Sequence, residues 1–285
     1  MHTHKKILLV MSSALLFSCS QTQSPKLADF GKNIYSQFGE DGIIEKIFEI
    51  IGTESKIAIE FGAADGFSCS NTANLWTKKD LGWFGILIEA DHELYKKVVH
   101  NVAPYNCAVI HRAVGITQHD SLESILTQEN LTCEVIDLLS IDIDGNDYYV
   151  LQSLQKLRPR VIICEYNVSI PAHLDVYPNV NNHIGCSVAA LQRVAAEKGY
   201  TLIAITDTNC IFIQNEDLSK FECFDIDRDH IKIDRYVSYI INDYKSGYKI
   251  IGPKNFIDAW GWSGKKSDQQ LHGSCSTIYA NIIRS

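Results

Sequence analysis

The chain has 285 residues, with 26 Lys and Arg against 34 Asp and Glu, a formal net charge of −8. At 46% hydrophobic, 10% aromatic and 21% charged it carries enough apolar material for a large core, which excludes wholesale disorder and a collagenous or low-complexity chain. An acidic balance without a Lys/Arg cluster argues against nucleic acid as the partner, because neutralising phosphates needs a concentrated basic face.

Residues 1–20 read as a signal-peptide-like or lipoprotein-type segment. His2 to Lys6 is polar and basic, Ile7 to Ser18 is mostly apolar, and Leu16-Phe17-Ser18-Cys19 resembles a bacterial lipoprotein processing site. The apolar run is shorter than the roughly 20 residues a bilayer span needs. Membrane contact is therefore expected only through this segment, with Cys19 lipidated; a start at Met11 is the plain alternative. The nine cysteines point the other way. Cys107, Cys164 and Cys210 fall in apolar runs that read as buried strands, where a free thiol acts as a small hydrophobe, and there is no CxxC pair. That usage suits a reduced protein, so localisation stays open between a membrane-anchored lipoprotein and the cytoplasm.

From Gly39 to Gly52, the residues Ile43, Ile44, Ile47, Phe48 and Ile51 recur at helical spacing, and Gly52 supplies a stop. Lys56 to Phe61 is a β-branched run flowing into Gly62-Ala63-Ala64-Asp65-Gly66, and Asn71 to Lys79 reads as helix. The alternation repeats: strand at Trp83 to Glu89, helix at His92 to His100, strand at Ala108 to Ala113, helix at Ser121 to Gln128 with Asp120 as cap. Strand Val135 to Ile141 ends in Asp142-Ile143-Asp144-Gly145, followed by helix Asp147 to Leu157 and strand Arg160 to Glu165. Five strand-then-helix units imply a doubly wound, mostly parallel α/β sheet. Asn167 to Cys186 is irregular and leaves the carboxyl end of a strand, the edge where such sheets bind substrates. Ser187 to Lys198 is a helix; Tyr200 to Ile205 and Cys210 to Gln214, split by a turn, form a hairpin. The chain thus divides into the N-terminal segment, a domain over 27–215 and an extension over 216–285 with weak periodicity.

Glu60-Phe61-Gly62-Ala63-Ala64-Asp65-Gly66 sits where the first strand meets the first helix, and small residues at 62 to 64 let a ligand approach the backbone. Glu89 ends the next strand; an acidic residue roughly 20 positions beyond a glycine turn is placed to bond a ribose diol. The loop is similar to motif I of class I S-adenosylmethionine-dependent methyltransferases, with Glu60 at the leading acidic position, Gly62 and Gly66 retained, and Ala64 where a middle Gly is common. Tyr35-Ser36-Gln37-Phe38-Gly39-Glu40-Asp41-Gly42, Ser140-Ile141-Asp142-Ile143-Asp144-Gly145-Asn146-Asp147 and Glu165-Tyr166-Asn167 resemble the FkbM-type methyltransferase family, over about residues 33 to 214.

The resemblance implies a Rossmann-like, seven-stranded sheet, mostly parallel with a terminal antiparallel hairpin. It implies S-adenosylmethionine as cofactor, with Glu60, Gly62, Ala63 and Gly66 along its methionine and ribose part, Glu89 on the ribose hydroxyls, and Asp91, Ala113 and Val114 around the adenine. Asp142 would face the cofactor amino group or the reacting centre, where a carboxylate balances the sulfonium or takes a proton from an attacking hydroxyl. Asp142 and Asp144 are the catalytic candidates.

Asp142, Asp144, Glu165 and Asn167 form a candidate oxygen-ligand set for a divalent ion such as magnesium; helix capping by Asn146 and Asp147 beside a solvated Asp144 is the plain alternative. Tyr35 to Asp41 reads as a lid or as helix capping by Ser36 or Asp41. His111, His173 and His183 lie within reach of a substrate or are structural.

The expectation is an O-methyltransferase acting on a sugar or secondary-metabolite hydroxyl, with a small-molecule or glycan acceptor as partner. Two rivals stand beside it. One is a metal-dependent glycosyltransferase using Asp142-x-Asp144; the other is a non-catalytic surface lipoprotein on the same fold.

Overall fold

The computed structural model describes residues 24–180, 183–227, 237, 239–243 and 247–251; the signal-like segment with Cys19, and most of the extension after 227, lie outside the described residues. Seven strands form one sheet: β1 (Ile57–Phe61), β2 (Phe84–Glu89), β3 (Cys107–His111), β4 (Leu138–Ile141), β5 (Val161–Glu165), β6 (Tyr200–Ile205) and β7 (Asn209–Gln214). Their order is β3-β2-β1-β4-β5-β7-β6. β1 to β5 pair in parallel, while β7 pairs antiparallel with both β5 and β6. This is the mostly parallel sheet with a terminal antiparallel hairpin that the alternation and the resemblance lead one to expect. A separate antiparallel pair, β8 (Tyr239–Asp243) with β9 (Gly247–Ile251), falls in the extension.

Alternate residues of each strand face opposite layers, so the sheet divides the core in two. One layer packs α1 (Glu40–Ile51), α2 (Ala73–Trp76) and α3 (His92–Val102) on the sheet through Ile43, Ile47, Trp76 and Val98. The other packs α4 (Leu122–Gln128), α5 (Asp147–Ser153) and α6 (Val188–Glu197) through Ile125, Tyr148, Leu151 and Leu191. Each fully buried aliphatic side chain contributes about 1.5–3 kcal/mol.

Several local expectations change. Helix α4 is capped by Ser121, whose Oγ accepts from Ser124 N, while Asp120 accepts from Thr117 in the preceding turn. The helix read over 147–157 stops at Ser153, because Glu123 Oε1 captures the N–H groups of Gln155, Lys156 and Leu157. The extension begins inside the domain. A 3-10 turn over Asn215–Phe221 seats Phe221 in the core, and Asp217 meets the buried Arg160 at 2.9 Å. Arg160 also pairs with Asp137 at 3.1 Å and donates to the carbonyls of Ile51 and Gly52, closing the amino end of the sheet. The seven described cysteines are free, and among the described residues no helix is long and apolar enough to cross a membrane.

Candidate active site

The carboxyl ends of β1, β2, β4 and β5 lie side by side, and they and the loops leaving them carry the glycine turn, Glu89, the Asp142 to Asp147 run and Glu165. At the first turn Gly62 adopts φ +78°, and a Cβ there would lie 1.7 Å from the carbonyl oxygen of Asp142. Only glycine fits, because the β4 turn presses on that position. A Cβ on Gly66 would meet Val102 Cγ1 at 2.9 Å, so this glycine lets α3 close on the turn. Gly62 and Ala63 both donate to Ile88 O, which fixes the loop against the end of β2.

Glu89 is 6% exposed. Its Oε2 accepts from Ala64 N and its Oε1 from Asp91 N, each at 2.8 Å. The carboxylate is therefore held rigidly between the glycine turn and the start of α3, with lone pairs to spare. Asp91 caps α3, accepting from Glu93 and Leu94 N. Ala113 and Val114 follow β3, with Val114 packed on the core.

Glu60 points inward. Its carboxylate accepts from Ser70 Oγ, Asn71 N and Thr72 Oγ1, and burial pushes its pKa up against those hydrogen bonds. It thus organises the segment after the glycine turn, where motif resemblance had put it along the cofactor. Asp65 likewise closes the turn through Phe67 N, Ser68 N and Ser68 Oγ.

Asp142 and Glu165 follow adjacent strands and hydrogen-bond each other, carboxyl to carboxyl. Both titrate well above the usual carboxylate range, chiefly through burial and then through mutual repulsion with Asp144 and Asp147. Asp147, also raised, to about 6, spends its oxygens on Ile143 N and Gly145 N and so shapes the turn. Carboxylate oxygens of Asp142, Asp144 and Glu165 lie within 4.8 Å of one another. Three hard oxygen donors at this separation fit a divalent cation. Asn167 does not share in the set: its Oδ1 accepts from Ser169 and its Nδ2 donates to Ile184 O.

The segment before α1 is a cap and also a cover. Asp41 Oδ2 accepts from the N–H groups of Ile34, Tyr35 and Ser36 and from Ser36 Oγ. Tyr35 stacks on Phe67 at 5.6 Å, and Gln37 Nε2 donates to Cys69 Sγ, fastening the segment to the glycine turn. Glu40 Oε1 accepts from Thr206 Oγ1 and Asn209 Nδ2, fastening its end to the hairpin. Cys69, Thr206 and Asn209 are the members that sequence reading missed; isolated polar residues in turns carry no periodic or motif signal. His183 Nδ1 lies 3.3 Å from Asp144 O, and His111 stacks on Tyr95 at 4.7 Å.

This site sets a glycine turn and an acidic second-strand end on a Rossmann-like sheet of order 3-2-1-4-5-7-6. Residues 116–202, from just before α4 to the first residues of β6, match the family described as the methyltransferase FkbM domain, which bears out the resemblance to these S-adenosylmethionine-dependent enzymes. No curated protein matches the sequence. Solved structures similar in fold include an O-methyltransferase from Bacillus cereus in complex with S-adenosylhomocysteine, at 19% identity and TM-score 0.43, covering 66% of this chain and 85% of that one. Others are a methyltransferase from Aquifex aeolicus (13%, TM-score 0.36, 60% and 87% covered) and one from Clostridium acetobutylicum (11%, TM-score 0.38, 61% and 90% covered), both S-adenosylmethionine-dependent. The glycosyltransferase alternative finds no support among them.

Proposed function

We propose that this protein transfers the methyl group of S-adenosylmethionine to an oxygen nucleophile, a hydroxyl of a sugar or another secondary metabolite. The observation that carries the reading is the pairing of Glu89 with Ala64 N across the glycine turn, beside the Asp142–Glu165 pair. When bound, the cofactor supplies an electrophilic methyl group on a sulfonium centre.

Glu89, already immobilised by two backbone donors, takes the ribose hydroxyls without further ordering. Asp91 holds the first turn of α3, and Ala113 and Val114 border the adenine. Gly62, Ala63 and Gly66 keep the turn low enough for the methionine portion to cross it.

Asp142 and Glu165 would face the reacting centre, where whichever of the two is ionised would balance the sulfonium. Their raised affinity for protons makes the ionised member a better base than a solvated carboxylate, suited to taking the proton of the acceptor hydroxyl as it attacks in line. Alignment carries most of the catalysis, since orienting two reactants is worth about 7–11 kcal/mol. Asp142, Asp144 and Glu165 would also hold a magnesium ion, which would acidify the acceptor hydroxyl.

The test is a calorimetric titration of the full chain with S-adenosylmethionine, using Glu89→Ala and, as a control, the exposed Glu49→Ala. Glu89→Ala should weaken binding at least tenfold, about 1.4 kcal/mol, with Glu49→Ala unchanged. No binding heat from folded wild-type protein would overturn the reading.

A further inference from the structure

The glycine turn spends its own hydrogen-bond donors. The N–H groups of Gly62 and Ala63 go to Ile88 O, that of Ala64 to Glu89, that of Gly66 to Ala63 O, and those of Phe67 and Ser68 to Asp65. Just beyond, Ser70 Oγ and Thr72 Oγ1 donate to Glu60, and Asn71 Nδ2 to Ser140 Oγ. Cations are committed elsewhere. The Lys32 ammonium turns to Glu45 at 3.6 Å and Lys78 pairs with Glu45 too, while among the described residues no Lys, Arg or His forms an ion pair with Glu60, Asp65, Glu89, Asp142, Asp144 or Glu165. Gln37 differs. It is exposed on the segment that covers the turn, and its Nε2 gives one hydrogen to Cys69 Sγ and keeps a second. Burial raises the Cys69 thiol and the Gln37 bond opposes this; the carboxylates of Asp142, Asp65 and Glu40 raise it further. The Gln37 amide thus stands among the glycine turn, the β4 turn and the start of α1.

We infer that Gln37 binds the carboxylate at the methionine end of S-adenosylmethionine through its second amide hydrogen. The inference rests on the methyl-transfer reading and adds to it the residue that takes the cofactor's one anionic group. The methionine end carries an ammonium, which an acidic site suits, and a carboxylate, which the same site repels. A carboxylate leaving water needs donors to replace its hydration. With the amides of the turn bonded inside the loop and the nearby lysines held by Glu45, that donor has to be a neutral side chain on the cover. An amide also adds no positive charge to repel the sulfonium. The backbone beneath Gln37 is fixed: Asn33 Nδ2 donates to Gln37 O, and Asp41 Oδ2 gathers the N–H groups of Ile34, Tyr35 and Ser36. A donor presented from an ordered loop costs little further ordering when the ligand arrives.

Calorimetry on the full chain tests this with two ligands, S-adenosylmethionine and decarboxylated S-adenosylmethionine, which lacks only that carboxylate. Gln37→Glu keeps the length of the side chain and replaces the donor by an anion; Gln37→Ala removes the group. Both change an exposed position, and either decides the matter if the other fails to fold. Gln37→Glu should weaken S-adenosylmethionine by about tenfold or more and Gln37→Ala by about threefold or more, since a hydrogen bond to a charged group is lost. Neither should weaken the decarboxylated ligand by more than about twofold. Unchanged S-adenosylmethionine binding in the folded variants, or an equal loss for both ligands, would overturn the assignment and leave the methyl-transfer reading standing. No heat from either ligand with folded wild-type protein would overturn that reading, and the assignment with it.

Discussion

Asp142, just past β4, and Glu165, at the end of the neighbouring parallel strand β5, stand carboxyl to carboxyl, and burial raises the proton affinity of both. The opposite end of the same strands is built the other way. There Asp137 and Asp217 both meet Arg160, whereas among the described residues no Lys, Arg or His pairs with Asp142, Asp144 or Glu165. One end is compensated for stability and the other is left acidic, the division of labour expected when a site carries strain that the scaffold offsets.

Glu165→Gln should therefore stabilise the fold while disabling it. The amide keeps a hydrogen bond to Asp142 and removes one crowded carboxyl, so the melting temperature should rise by a few degrees, about 1 kcal/mol. Because both carboxyls bind protons more tightly folded than unfolded, wild-type stability from this pair is complete at low pH and lost as pH rises through the raised values; the variant should flatten that loss. Methyl transfer should fall by about 10². Scanning calorimetry from pH 5 to 9 and S-adenosylhomocysteine release check both.

Gly62→Ala should be far more damaging than Gly52→Ala. Both have positive φ, but the new Cβ lies 1.7 Å from Asp142 O in the first and meets nothing within 4 Å in the second. Urea unfolding should show a loss of about 1 kcal/mol for Gly52→Ala and more than about 3 kcal/mol for Gly62→Ala. Equal losses would mean that the β4 turn moves aside freely.

Asp217→Asn should blunt acid unfolding. Burial opposes ionisation of Asp217, but hydrogen bonds and charge from Lys220 and Arg160 outweigh it and hold its pKa below the ordinary value. Its contribution is present above the ordinary aspartate range and lost as pH falls through the depressed value. The variant should be less stable at pH 7, and the gap should close in circular-dichroism titrations as pH falls through the depressed value.

Magnesium at millimolar concentration should raise the melting temperature of wild type and not of Asp144→Asn, since the cation would neutralise three carboxylates that lack basic partners. An unchanged wild-type melt would mean that the three carboxylates do not hold the cation.

The alternation of strands and helices, the glycine turn and the acidic end of β2 were legible along the chain, because each depends on neighbours a few residues away: period, backbone freedom and the residue that ends a strand. The FkbM resemblance likewise rested on short contiguous runs. What Glu60 does was not legible, since its direction depends on how Ser70 to Thr72 fold back over it. Nor was the end of α5, decided by Glu123 some thirty residues earlier in the chain. The raised proton affinity of Asp142 and Glu165 arises only because β4 and β5 pair in register and bury both carboxyls. Local sequence determined which elements form and which groups stand at their ends; strand pairing and desolvation, which act between residues far apart in the chain, decided which of those groups meet and what charge they carry.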